Sequence, residues 1–462
     1  MADYERLSPT DASFLYWETP IAHMHVGGLV IYDDAGYTMD DVYAHTAYRL
    51  DQLPRFRRKL MWVPNGQGRP VWIDDDHFDI RYHVRPTGLP KPGGEAELYE
   101  LVGRIMSRPL DRTRPLWEMW IVDLADGRKA MVHKTHHCMM DGVGGVDLAA
   151  ILLDLTEEWQ PPPPSAWEPK VGPTKSELWR TTVVERFAKP GELVRSVRAG
   201  LAAPKAAIDR AIEVGKGVVN FGKVPFESAP RTSLDTARIG SHRRIDLVRT
   251  NLADIKRVKN QYGCTVNDVV LALVAGGLRQ LLLSRGDDID GLKMRCTIPV
   301  SVRDDSQRMT YGNQIAAMFA ELPVGEADPV DRLQFMRDQM ADVKENKQAL
   351  GAEALISLAD FASPTLIALA GRAVARQWVM NLVVTNVPGP QFPLFFMGGH
   401  ISEIVPMMPL VGSTAVGAAV LSYDGNLTFG LMGDWDAVPD LHIFAEGIEK
   451  SLQELLAEQE VG

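Results

Sequence analysis

The sequence predicts an α/β fold built in two halves. Three features predict it. Strand-like and helical runs alternate through residues 1–160, four consecutive prolines (Pro161, Pro162, Pro163, Pro164) follow, and a second alternation begins at Thr232. In the first half the strand-like runs are 25–32, 119–124 and 130–135, and the helical runs are 39–50 and 95–106. The apolar patch Ala130-Met131-Val132 reads as a buried strand. Beyond it Gly142, Gly144 and Gly145 precede a stretch of helical spacing at 146–155.

The proline run cannot continue a helix and stiffens the chain, so it marks a boundary. Residues 161–230 form a linker of different character. Within 170–224 there are eleven Lys or Arg against five Asp or Glu, interleaved with Trp179, Phe187 and aliphatic residues. Two readings stand for this basic stretch. It lies on an anionic lipid surface, or it is a crossover helix whose apolar stripe packs on its own protein.

The second half, 231–462, reads as strand 242–247, helix 252–262, an apolar helix 267–283, strand 295–302, and helices 333–350 and 360–375. Strand 379–385 leads into a turn at Asn386-Val387-Pro388-Gly389-Pro390. Runs 416–423 and 427–431 flank Asp424-Gly425-Asn426 as a hairpin.

Bulk properties exclude several classes. The net charge of −11 argues against a nucleic-acid binder. Three scattered cysteines, Cys138, Cys264 and Cys296, fit a reducing compartment. The first residues, Met1-Ala2-Asp3-Tyr4-Glu5, lack a signal-peptide pattern. Residues 404–423 carry no charge, but Pro406, Pro409, Gly412 and Gly417 make them two buried strands with a turn. The apolar helix near 269–283 is interrupted by Arg279 and Gln280, so no integral membrane span is expected.

The chemistry concentrates at His136-His137-Cys138-Met139-Met140-Asp141-Gly142, where a strand ends and a glycine-rich loop begins. Imidazole titrates near physiological pH, so a histidine here can take a proton from a hydroxyl and return it to a leaving group. Adjacent strand residues point to opposite faces, so His136 and His137 have different jobs. Asp141 either contacts an imidazole or clamps the loop to an arginine elsewhere. A metal site would draw on His133, His136, His137, Cys138 and Asp141. However, His133 and His136 point to opposite faces and no second ligand motif accompanies them. Cys138 as a nucleophile competes with Cys138 as a small buried hydrophobe.

The pattern His-His-x-x-x-Asp-Gly resembles the signature of acyl-CoA-dependent acyltransferases. Further segments narrow the resemblance. Leu7-Ser8-Pro9-Thr10-Asp11-Ala12-Ser13-Phe14-Leu15 and His23-Met24-His25-Val26-Gly27-Gly28 are similar to the start of the bacterial wax ester synthase/diacylglycerol acyltransferase family. So are Pro115-Leu116-Trp117, Asn267-Asp268, Pro299-Val300-Ser301-Val302-Arg303, Gly312-Asn313 and Asn386-Val387-Pro388-Gly389-Pro390, in the family's order.

The resemblance implies two chloramphenicol-acetyltransferase-like domains with an active-site channel between them. It implies acyl transfer from long-chain acyl-CoA, a substrate and not a cofactor, to diacylglycerol or a long-chain fatty alcohol. His137 would be the general base, and His136 would shape the strand end or the donor pocket. Asp141 would hold the loop, with Arg303 as a salt-bridge partner, and Gly142 would permit its tight backbone. Asn267, from the motif shared with Asp268, would either donate to the oxyanion or cap its helix. Pro115, Leu116 and Trp117 would build the channel wall or the domain core. Asn386, Pro388 and Gly389 would support the domain interface near the channel. Neither a metal nor a cofactor is expected. The expected location is cytoplasmic, in peripheral contact with the inner membrane or lipid droplets.

Overall fold

The computed structural model describes residues 4–66, 68–139, 152–188, 229–235, 239–301, 315–345 and 380–461. The main helices are α1 (Pro9–Trp17), α2 (Met39–Arg49), α3 (Glu95–Ser107), α4 (Lys175–Ala188), α5 (Leu252–Gln261), α6 (Val266–Arg285), α7 (Pro329–Glu345) and α8 (Leu441–Val461). The strands are β1 (Glu5–Arg6), β2 (His25–Tyr32), β3 (Arg58–Met61), β4 (Val71–Asp74), β5 (Val84–Gly88), β6 (Trp117–Asp123), β7 (Lys129–His136) and β8 (Arg243–Asn251). They continue as β9 (Met294–Ser301), β10 (Ile315–Leu322), β11 (Leu382–Pro388), β12 (Phe395–Phe396), β13 (Gly399–Met407), β14 (Val416–Tyr423) and β15 (Asn426–Asp434).

Among the described residues two six-stranded sheets run in the orders β12-β13-β2-β7-β6-β5 and β10-β9-β11-β14-β15-β8. A three-stranded sheet, β1-β4-β3, flanks the first. Period-two alternation along β7 sends Ala130 and Val132 to one face and Met131 to the other. The first face packs on Leu98, Val102 and Ile105 of α3 and on Ile245, Leu247 and Met432 of the second sheet, so one apolar layer joins the halves. The opposite face of the first sheet packs around Leu15, Phe56, Leu116 and Trp117. The outer face of the second sheet is covered by α6 and α8, which share a core with Val248, Phe429 and Leu431.

Helix α6 shows how local sequence sets its ends. Thr265 is its N-cap and Asp268 completes a capping box, while Gly286 ends it with a left-handed φ of 78°. Its length and composition would suffice for a membrane span, yet Val269–Leu278 lies buried in the second core. The β14–β15 hairpin turns at Asp424 and Gly425, both with positive φ (42° and 78°), as a tight two-residue turn requires.

The two-half α/β architecture is the expected one, with informative differences. Residues 404–423 do hold two buried strands, but they do not pair with each other. β13 joins the first sheet beside β2, and β14 joins the second beside β11 and β15. Residues 395–407 therefore complete the sheet of the first half, although the sequence assigns them to the second. At the crossing the sheets nearly touch: a Cβ on Gly430 of β15 would lie 1.9 Å from the Pro406 carbonyl oxygen.

The expected turn at 386–390 begins later. Parallel pairing with β14 carries β11 through Asn386, Val387 and Pro388, opposite Val420, Leu421 and Ser422. Pro388 closes the strand, where a missing N–H is least disruptive. Helix 360–375 and most of 146–155 lie outside the described residues.

Candidate active site

The strand β7 delivers both histidines to one end of the first sheet. His136 is its last residue; its N–H donates to the Leu116 carbonyl at 2.9 Å. The His137 N–H donates to the Met24 carbonyl at 2.8 Å. Each histidine is thus fixed at the backbone by a different neighbouring segment. Leu116, in the expected Pro115-Leu116-Trp117 motif, supports His136 through its main chain.

The two side chains then part. His136 is buried, 1% exposed, whereas His137 is half-buried. His136 Nδ1 accepts from the Cys138 N–H at 3.1 Å, so Nε2 carries the ring proton and donates to Glu18 Oε2 at 3.0 Å. The Met139 N–H also donates to the His136 carbonyl, at 2.9 Å. His136 therefore ties β7 to the turn that follows. His137 lies against Phe14 of α1, its ring parallel within 8° and centred 3.9 Å away.

Glu18 is the centre of a buried polar cluster. Arg112 donates to Glu18 Oε2 at 2.5 Å and to the Leu15 carbonyl at 3.1 Å. His23 Nδ1 stands 3.3 Å and His25 Nε2 3.6 Å from Glu18 Oε1. Burial pushes the carboxyl upward, but hydrogen bonds from His136, His23 and Arg112 prevail and hold it well below the usual carboxylate range. Burial lowers His136 below its ordinary pKa, with Glu18 opposing, and lowers His25 further.

The sheet face carrying His136 also carries Lys134, which is fully buried. Its ammonium donates to the Ile105 and Arg108 carbonyls at 2.9 and 3.1 Å, closing the C-terminal end of α3. From the second half Arg243 reaches across. It donates to the Ile21 carbonyl at 2.8 Å, and its N–H donates to Ser107 Oγ at 2.9 Å. A small cavity between the halves is lined by His23, His25 and Met106 on one side and Arg243, Met408 and Met432 on the other.

Trp117 is buried in the core of the first half. Its Nε1 donates to the Phe56 carbonyl at 2.7 Å, and its ring stacks on His83 at 4.6 Å. Pro115 and Leu116 are buried beside it. Asn267 is half-buried in the first turn of α6 and does not cap it; Thr265 does. Asp268 is buried and accepts from the Thr265 N–H at 2.8 Å. Both residues begin the core helix of the second half. Asn386, Pro388 and Gly389 lie where the chain leaves the second sheet for β12 in the first, and the Gly389 N–H donates to Ser422 Oγ at 3.3 Å. Asp141, Gly142 and Arg303 lie outside the described residues. Among the described residues no cluster of His, Cys, Asp or Glu is arranged to hold a metal ion.

Sequence reasoning missed Glu18, Arg112, Lys134 and Arg243. Glu18 had a signal: a lone carboxylate between the apolar end of α1 and the His23-Met24-His25 run. The other three are cations whose partners are mostly main-chain carbonyls distant in sequence, which no motif announces.

Residues 7–270 match the wax ester synthase/diacylglycerol acyltransferase catalytic domain, and residues 311–456 match the C-terminal domain of the same enzymes. A Mycobacterium tuberculosis protein bearing the name diacylglycerol O-acyltransferase is 35% identical over 469 residues, covering 98% of this chain and 91% of its own. A second from that organism is 31% identical over 462 residues, covering 98% and 96%. The wax ester synthase/diacylglycerol acyltransferase of Marinobacter aquaeolei has a similar structure, with a TM-score of 0.67 at 27% identity over 98% of this chain and 99% of that one. The first condensation domain of the calcium-dependent antibiotic synthetase shares the fold alone, with a TM-score of 0.60 at 15% identity over 98% and 95% of the two chains. With family matches on both halves and relatives similar along nearly its whole length, the chain belongs to the wax ester synthase/diacylglycerol acyltransferase family.

Proposed function

We propose that the chain transfers a long-chain fatty acyl group from acyl-CoA to the hydroxyl of diacylglycerol, releasing triacylglycerol and CoA. Long-chain fatty alcohols are the second acceptor class and would give wax esters. The observation that carries this reading is the pairing of full-length family similarity with a half-buried His137 at the end of β7.

His137 would remove the hydroxyl proton as the alcohol oxygen attacks the thioester carbonyl. When the tetrahedral intermediate collapses, the C–S bond breaks and the same proton passes to the departing thiolate. Such general acid–base help is typically worth about 10²–10⁴-fold. The reaction draws on acyl-CoA as substrate and calls for no bound cofactor. Asp141, Gly142 and Arg303 keep the loop-holding roles that the family resemblance implies. Donor and acceptor would meet in a channel between the halves.

The reaction belongs at a lipid surface on the cytoplasmic side, the inner membrane or a lipid droplet, because both the acceptor and the product are lipids. Helix α4 supports this reading. Its Leu178 and Thr182 are buried against the small sheet, while Trp179 and Val184 are 42% and 65% exposed beside Arg180. Within α4 the buried side chains support the packing reading of the basic stretch, and the exposed ones support the lipid-surface reading. Trp179→Ala with Arg180→Glu should weaken sedimentation with anionic liposomes; unchanged binding would remove α4 from the surface.

The test of the activity is an assay with labelled palmitoyl-CoA, offering diacylglycerol and hexadecanol in parallel. Labelled triacylglycerol supports the reading, wax ester alone moves it to the second acceptor class, and no product with either overturns it.

A further inference from the structure

We propose that Phe14 is a positioning residue for His137, its ring setting the plane in which the imidazole nitrogens meet the acceptor hydroxyl. The proposal rests on the reading of His137 as the base.

His137 has such a partner. It lies one residue beyond β7, in a turn, and its main chain is fixed by the Met24 carbonyl. The second torsion of histidine is intrinsically broad. A flat ring at van der Waals distance removes that freedom. Phe14 supplies one, parallel within 8° at 3.9 Å. The stack also closes one face of the imidazole to water and leaves the ring edge to define the direction of approach.

Phe14 is itself held. Ser8 caps the start of α1 and Pro9 occupies its first turn, while the Glu18 N–H donates to the Phe14 carbonyl at 3.2 Å. The Glu18 carboxylate holds His136. One short helix and its C-cap residue therefore hold both histidines, through a ring on His137 and a carboxylate on His136. Trp17 stands edge-on to Phe14 at 5.6 Å and is 40% exposed, so an aromatic column runs from the surface to His137.

An aliphatic side chain of similar bulk would fill the space without offering a flat face. The test compares Phe14→Leu, Phe14→Met and Phe14→Tyr with wild type and His137→Ala, measuring kcat, the KM for palmitoyl-CoA and the melting temperature. The leucine and methionine variants should lose kcat by about 10- to 100-fold, the order that small misplacement of a reacting group costs, with KM nearly unchanged. Phe14→Tyr, which keeps the ring, should recover most of that loss. Wild-type kcat in Phe14→Leu would overturn the proposal. So would equal losses in all three variants, or losses confined to KM, because those are packing effects. Normal turnover in His137→Ala would instead remove the base, and with it the group that Phe14 positions.

Discussion

Glu18 Oε2 accepts a hydrogen bond from His136 Nε2 at 3.0 Å, and that contact determines the histidine's tautomer. With the proton on Nε2, Nδ1 is free to accept from the Cys138 N–H. The carboxylate therefore acts on the turn after β7 through an imidazole it holds in one orientation. In this pair of adjacent histidines the first organises the main chain, and the second is the one proposed as the base.

Removing the carboxylate should be felt in stability and in turnover together. Glu18→Ala leaves the His136 Nε2–H and Arg112 without their acceptor. We expect a loss of about 2–3 kcal/mol, below that of a fully buried pair because Arg112 is 37% exposed. Urea denaturation would measure it, and kcat should fall because the turn carrying His137 loosens. Wild-type stability in this variant would mean that the cluster contributes nothing net.

Stability should decline as the solution is acidified from pH 6.5 toward 4. Burial lowers His83 and His133 to about 4 in the folded protein. Their ordinary value is about 6.5, so between these limits the unfolded chain binds more protons and stability rises with pH. His83→Phe should flatten this dependence, by roughly 3 kcal/mol once the pH lies below the folded value. The check is a series of melting temperatures across that range, and an unchanged slope in the variant would count against a neutral buried His83.

The contact between the sheets predicts an intolerant glycine. A methyl group at residue 430 would meet the Pro406 carbonyl oxygen at 1.9 Å, and both partners are main chain in paired strands. Neither can move alone. Gly430→Ala should therefore destabilise by about 1–3 kcal/mol or more, seen as a lower denaturation midpoint.

How far the sequence reached can be followed residue by residue. The strand at 130–135 and the Asp424-Gly425 turn were legible because local sterics decide them. Ser8-Pro9-Thr10-Asp11 was a readable helix start, with N-cap, first-turn proline and acid in place, although it served only as a family motif. The separation of β13 from β14 was not legible: both are buried apolar strands, and partner choice depends on which sheet has an open edge. Asn267 misled because Thr265, two residues earlier, already filled the capping role. Glu18 and His136 are 118 positions apart, and one sequence gives no means of pairing them.

In the proposed reaction His137 carries the proton between acceptor and thiolate. The most direct measurement is the turnover of palmitoyl-CoA with diacylglycerol by purified His137→Ala beside wild type, with circular dichroism confirming that both are folded. We expect a folded variant whose kcat falls by about 10²-fold or more. A folded variant with near-normal kcat would contradict that role.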